Sequence, residues 1–233
     1  MPGRLAIYDD ISFKTDISNT FGRYQDKIQT LDKKYNIAPT ISIPIFTNSF
    51  IYTYAHFGLI PSWAKDRSSI NINARSETIY EKASFKEAYR QRRCIIPVNG
   101  YYEWIKDEMN KKSIPYLISS KEKNYFAFAG VYEQWYDNSI GKTILSTALI
   151  TTEPNKKIAA IHDRMPVILE QKDWGKWLAN DSSFKDLNSL FKPCSDDIIA
   201  IEEVLDLVNS VKNDTPECLL KSNRVQMTQG SLF

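Results

Sequence analysis

A chain of 233 residues with 42% hydrophobic and 25% charged side chains has the composition of an ordinary folded protein, which excludes global disorder, collagen and a disulfide scaffold. The length suits a single large domain. A formal net charge of +2 is too small to announce a nucleic-acid protein by its sum, so any such role must show in how the charge is distributed.

In chain order, the amino terminus lacks the apolar run of a signal peptide and no stretch approaches a membrane span, so a cytoplasmic location is expected. The spacing of Phe21, Tyr24, Ile28 and Leu31 predicts a helix from about Thr20 to Lys34, capped by Asn19 or Thr20. Two β-rich runs follow, Ile41 to Phe46 and Phe50 to Gly58, and Pro44 marks the first as an edge strand. A helical patch is expected from about Glu77 to Gln91. From Arg93 the pattern changes to strands at Cys94 to Val98, Tyr101 to Ile105, Tyr116 to Ile118, Tyr125 to Val131 and Lys142 to Thr151, with turns at Asn110 and at Asn138 to Gly141. A late helix, Gln171 to Leu178, places Trp174, Trp177 and Leu178 on one side. These elements predict an α+β fold: one domain over residues 1–220 with a largely antiparallel, barrel-like sheet flanked by helices, then a flexible polar tail over 221–233.

Some chemistries are excluded early. Cys94, Cys194 and Cys218 lie far apart without a CxxC pair, against a disulfide framework or a zinc ribbon. The eight glycines form neither GxGxxG nor GxxxxGK[ST], against Rossmann and P-loop chemistry. Two histidines without a carboxylate cluster give no basis for a metal site. Between Ser62 and Arg93 eight basic residues (Lys65, Arg67, Arg75, Lys82, Lys86, Arg90, Arg92, Arg93) face four acids, which fits a local basic surface or a solvated helix face.

Polar residues inside apolar strands carry the strongest chemical signal, because a buried charge is costly without a partner or a task. Alternation puts Glu103 on the strand face shared by Tyr101 and Ile105. Desolvation there favours the neutral acid, a proton donor near neutrality, whereas an adjacent arginine would make it a structural ion pair. His162 precedes Pro166 in a loop-like setting, while His56 lies within an aromatic strand as a core residue. Trp63 follows a Pro61 turn, where an indole either stacks on a base or packs in the core. Asn73 and Arg75 belong to a polar loop suited to phosphate, with Ser76 as a helix cap.

Seven stretches in order then resemble the SOS response-associated peptidase (SRAP) family, whose members shield abasic sites in single-stranded DNA by covalent attachment: Gly3-Arg4, Tyr35 to Thr40, Gly58 to Ala64, Asn73 to Thr78, Arg92 to Pro97, Gly100 to Trp104 and Ile161 to Pro166. The resemblance covers residues 2 to 220. It implies an α-amine and thiol at residue 2 that close a thiazolidine on the sugar aldehyde after self-removal of Met1, with no cofactor. By the same resemblance Asn73 orients residue 2, Glu103 shuttles protons and His162 assists sugar opening. Arg4, Arg75 and Arg164 hold phosphates, and Asn36, Pro39 and Trp63 line the DNA at the lesion. The implied protein is a nucleoid-associated monomer.

Residue 2, however, is Pro2 where the family has cysteine. With Met1 removed, Pro2 offers a secondary amine that condenses with an aldehyde only to a charged iminium, which favours β-elimination over a stable ring. With Met1 retained, that nitrogen is an inert amide. A transient lyase-type adduct and a non-covalent binder of single-stranded or junction DNA are therefore both open. The end Gln229-Gly230-Ser231-Leu232-Phe233 resembles the peptide that bacterial replication proteins insert into the sliding clamp, with Gln229, Leu232 and Phe233 as the anchors.

Overall fold

Long strands with alternating inward and outward apolar residues bury two faces at once when they close on themselves, and this chain does so. The structure, a computed structural model, describes residues 2–107 and 112–222. Its elements run β1 (Leu5–Ile7), α1 (Ile11–Phe21), β2 (Gln25–Asp26), β3 (Lys34–Ile37), β4 (Ser42–Thr47), β5 (Ile51–Phe57), β6 (Asn73–Arg75), α2 (Lys86–Gln91), β7 (Arg93–Val98), β8 (Gly100–Asp107), β9 (Lys112–Ser120), β10 (Phe126–Asp137), β11 (Lys142–Thr152), α3 (Lys156–Ala159), β12 (Met165–Pro166), α4 (Trp174–Leu178), α5 (Phe184–Asn188) and β13 (Ile199–Glu203).

Strands β5, β4, β7, β10 and β11 pair antiparallel in that order, and β11 returns to β5 in parallel at Ser146↔His56 and Thr147↔Phe57. The ring is thereby closed, leaving those strands no free edge. Inside it Ile43, Ile45, Phe57, Ile96, Phe128 and Leu149 form one core. Their strand neighbours Phe46, Ile95, Ala127, Val131 and Ile150 belong to a second core, with Phe13 and Ile17 of α1, Ala88 and Tyr89 of α2, and Trp174 and Trp177 of α4. A second antiparallel sheet, ordered β13-β9-β8-β1-β3, sends Leu5, Ile7, Tyr101 and Ile118 into the barrel core. Its other face, Ala6, Tyr102 and Leu117, is covered by Val208 and Cys218. The α+β, barrel-centred fold agrees with expectation. Among the described residues no helix is long and apolar enough to cross a membrane.

Four local expectations are corrected. The first helix is Ile11–Phe21, ended by Gly22 at φ 73, where a left-handed residue stops helical continuation. Ile28 is still buried and Phe21, Tyr24 and Leu31 still pack on the cores, so their helical spacing was satisfied by a looped chain. The patch from Glu77 shrinks to α2, because residues 76–85 form successive turns with Thr78 O accepting from both Glu81 N and Lys82 N. Pro44 lies in an interior barrel strand, tolerated because β4 pairs with β7 only at Phe46 and Thr47. Finally, part of the expected basic surface is spent internally. Arg67 pairs with Asp137, Arg92 with Glu133, and Arg93 is buried.

Candidate active site and nucleic-acid interface

One stretch of β11 organises the site. Thr147 O accepts from Gly58 N at 2.9 Å, fixing the start of the Gly58 to Trp63 loop. Leu149 and Thr151 pair in parallel with Asn73 and Arg75. Thr151 also pairs with Pro166 of β12, so the His162 to Arg164 loop enters the same neighbourhood. Three segments far apart in sequence are thus threaded onto consecutive backbone groups of one strand.

Residue 2 is buried beside them. Asn73 Nδ2 donates to Pro2 O at 3.1 Å, while Asn73 Oδ1 is buried without a hydrogen-bond partner among the described residues. Register explains how Glu103 joins. The Leu5↔Tyr101 pair and the Tyr102 N to Arg4 O bond of 2.9 Å, carried onward along β8, set Glu103 at the level of Gly3. Glu103 is 5% exposed, and burial pushes its carboxyl above the ordinary range, an effect that the charge of His162 opposes. His162 Nδ1 accepts from Arg164 N at 3.1 Å and lies 2.7 Å from an Asp163 carboxylate oxygen. The first contact needs a lone pair on Nδ1 and the second a hydrogen there, so the two are not satisfied at once. Pro2, Asn73, Glu103 and His162 therefore form one cluster.

Around it the cations differ sharply in commitment. Arg164 donates to both oxygens of Glu77, at 2.6 and 2.9 Å, and to Thr151 O at 2.6 Å. This pairing holds the Glu77 carboxyl below its usual range. Sequence reasoning had not singled out Glu77, although it stands two residues after Arg75 in the same polar loop. Arg75 is exposed and makes no side-chain ion pair among the described residues. Trp63 is 60% exposed, with Nε1 donating to Ala83 O at 3.4 Å, so the indole is on the surface. Pro39 precedes Thr40, a left-handed residue (φ 79) whose N bonds Phe57 O, and this tethers the loop to the same end of β5 as Gly58.

Arg4 and Asn36 are engaged elsewhere. Arg4 lies on the Tyr102 side of the sheet, over the Trp104 ring, and donates to Asn36 Oδ1 at 2.7 Å and Val208 O at 2.8 Å. Asn36, 3% exposed, gives its amide to the carbonyls of Val208, Ser210 and Asn213. Their polar groups pin the C-terminal segment onto the sheet. His56 is half-buried with Nδ1 against Gly58 O at 3.2 Å. Burial pushes the Cys94 and Cys194 thiols up to about 12. Gln229, Leu232 and Phe233 lie outside the described residues.

Nearly the whole chain is similar to proteins of one family. The sequence profile described as "SOS response associated peptidase (SRAP)" matches residues 1–211. The abasic site processing protein YoaM of Bacillus subtilis (strain 168) is 39% identical over 236 residues, covering 97% of this chain and all of that protein. Another protein of that strain, the abasic site processing protein YoqW, is 41% identical over 230 residues, covering 94% and 99% of the two chains. A crystallised protein of Bacteroides thetaiotaomicron superposes with a TM-score of 0.82 at 29% identity, covering 94% of this chain and 99% of its own.

Proposed function

Because the chain belongs to the SOS response associated peptidase (SRAP) family, we propose that it recognises abasic sites in single-stranded DNA and brings the opened sugar to residue 2. The names of its relatives, abasic site processing proteins, support this substrate class. The observation that carries the reading is the Asn73–Pro2 hydrogen bond, beside the buried Glu103 and the His162 loop.

In the proposed chemistry, removal of Met1 frees the Pro2 nitrogen, which adds to the aldehyde carbon of the ring-opened sugar. Loss of water leaves an iminium. The cation acidifies the C2′ proton, a base removes it, and the electron pair expels the 3′ phosphate; water then hydrolyses the adduct. A buried carboxyl such as Glu103 suits the proton transfers, because desolvation brings its titration towards neutrality. In this reading His162 assists opening of the sugar. Arg75 and Arg164 supply phosphate contacts, and Trp63 and Pro39 the surface along which the strand bends away from the lesion.

Proline in place of the family cysteine favours one second reading, a non-covalent binder that keeps the groove and drops the reaction. Intact mass measurement tests both readings, alone and after mixing with abasic single-stranded DNA with and without borohydride. The lyase reading expects a chain lacking Met1, a borohydride-dependent adduct and a cleaved strand. An intact strand and no trapped species after long incubation leave only binding.

A further inference from the structure

The turn-rich segment 76–85 carries more aromatic surface than the proposed site uses. Tyr80 is 39% exposed and Phe184 50%, and their rings meet edge to face with centroids 4.9 Å apart. The pair rests on a firm floor. Phe184 opens α5 and also meets the buried Tyr89 edge-on at 6.1 Å, while the Tyr89 hydroxyl donates to Asn188 Oδ1 at 2.8 Å. Two half-exposed rings held in fixed relation offer a stacking surface at little ordering cost.

The charges around the pair indicate its occupant. Lys82, Lys86 and Lys185 are exposed and enter no ion pair among the described residues. From Ile79 to Lys86 the only acid is Glu81. Beside Phe184, the Asp186 carboxylate is engaged by the Ser183 hydroxyl at 2.6 Å. Aromatic edges among unpaired lysines suit a single nucleic-acid strand, whose bases stack while its phosphates meet the cations. The Trp63 loop is tied to this segment, since Trp63 Nε1 donates to Ala83 O.

We infer that Tyr80 and Phe184 form a second stacking platform for the single-stranded DNA flanking the abasic site, reached past Trp63. The inference rests on the proposed function and extends its footprint. It is tested by anisotropy competition using the full chain and two strands carrying an unreactive tetrahydrofuran abasic analogue. One strand has a single nucleotide on each side of the lesion, and the other about eight. The parent is expected to prefer the longer strand. Tyr80→Ser/Phe184→Ser should lose about tenfold of that preference while binding the short strand like the parent. An unchanged preference in this variant overturns the platform and leaves the proposed function standing. If the parent binds neither strand, the abasic-site reading falls and takes the platform with it. Equal loss on both strands would reflect damage to the fold, so the surface pair Lys82→Gln/Lys86→Gln gives an independent decision. Weaker long-strand binding with a shallower salt slope supports the platform, and parent-like values refute it.

Discussion

Glu77 and Arg164 face each other fork to fork, with two hydrogen bonds of 2.6 and 2.9 Å, and the Thr151 carbonyl fixes the guanidinium from behind at 2.6 Å. Arg164 thus already holds an anion in the bidentate geometry that a phosphate uses. Its carboxylate partner is exposed, whereas the arginine side chain is only 12% exposed, so Glu77 is the member that can be displaced.

Competition between Glu77 and DNA phosphate has a measurable sign. Glu77→Gln is expected to tighten single-stranded DNA binding by about threefold at low salt, because one repelling charge leaves the neighbourhood. Arg164→Gln should weaken it by about tenfold and lower the log–log salt slope by about 0.7, the value of one phosphate contact on a single strand. Anisotropy titrations across salt concentrations check both. Weaker binding by Glu77→Gln would show that the carboxylate positions Arg164 rather than competes for it.

Glu103 makes stability depend on pH. Its folded value lies above the ordinary 4.5 because burial penalises the carboxylate. Stability favouring the neutral acid is therefore full below 4.5, falls as pH rises through the folded value, and stays lost above it. Glu103→Gln, which cannot ionise, is expected to melt higher than the parent at pH 8, with the gap closing on acidification. The same variant should slow any strand cleavage by about a hundredfold, since it cannot accept a proton. Thermal melts across pH that run parallel for the two proteins would remove the assignment.

Arg93 presents the opposite situation, a buried cation that looks like surface charge in the sequence. Its guanidinium donates to the carbonyls of Tyr89 and Arg90 at the end of α2 and to those of Trp177 and Ala179 at the end of α4, all at 2.6 to 2.7 Å. One side chain therefore caps the carboxyl ends of two short helices. Arg93→Ala leaves these acceptors without a donor and is expected to cost about 3 kcal/mol or more. Arg93→Lys should recover little, because a point-like ammonium cannot reach both ends with a planar fork. Denaturant unfolding of both variants measures the loss.

What the sequence revealed follows its physics. Period-two alternation located β7 to β11 within two residues at most of their boundaries, apart from the longer ends of β9 and β10, because burial on both faces of a barrel leaves a dense apolar pattern. The same logic places Glu103 on the Tyr101 face, while the link between Asn73 and residue 2 is what the family resemblance implies, and Asn73 Nδ2 donates to Pro2 O. α1 escaped because only Phe13 and Ile17 are buried in an otherwise polar helix, while Phe21 to Leu31 imitate a helical stripe. The fates of Arg4, Asn36 and Arg93 depend on carbonyls far away in the chain, to which no local pattern points. Glu77 was hidden for the same reason: its partner lies 87 residues on.

The last test concerns residue 2 itself. An imine formed by a primary α-amine can be closed by a neighbouring thiol into an uncharged ring, and Pro2 has no such thiol. No resident cysteine supplies one, since burial pushes Cys94 and Cys194 up to about 12 and Cys218 is buried beneath the second sheet. Pro2→Cys should therefore convert a fleeting adduct into one that survives denaturing electrophoresis without borohydride, its mass matching the chain without Met1 joined to the DNA less one water. In the parent, only reduction should trap the adduct. A durable parent adduct without reductant would point to a nucleophile other than Pro2. A Pro2→Cys chain that binds abasic DNA, loses Met1 and still forms no adduct would mean that residue 2 does not reach the sugar, so the cluster built on the Asn73 bond would not be the reacting centre.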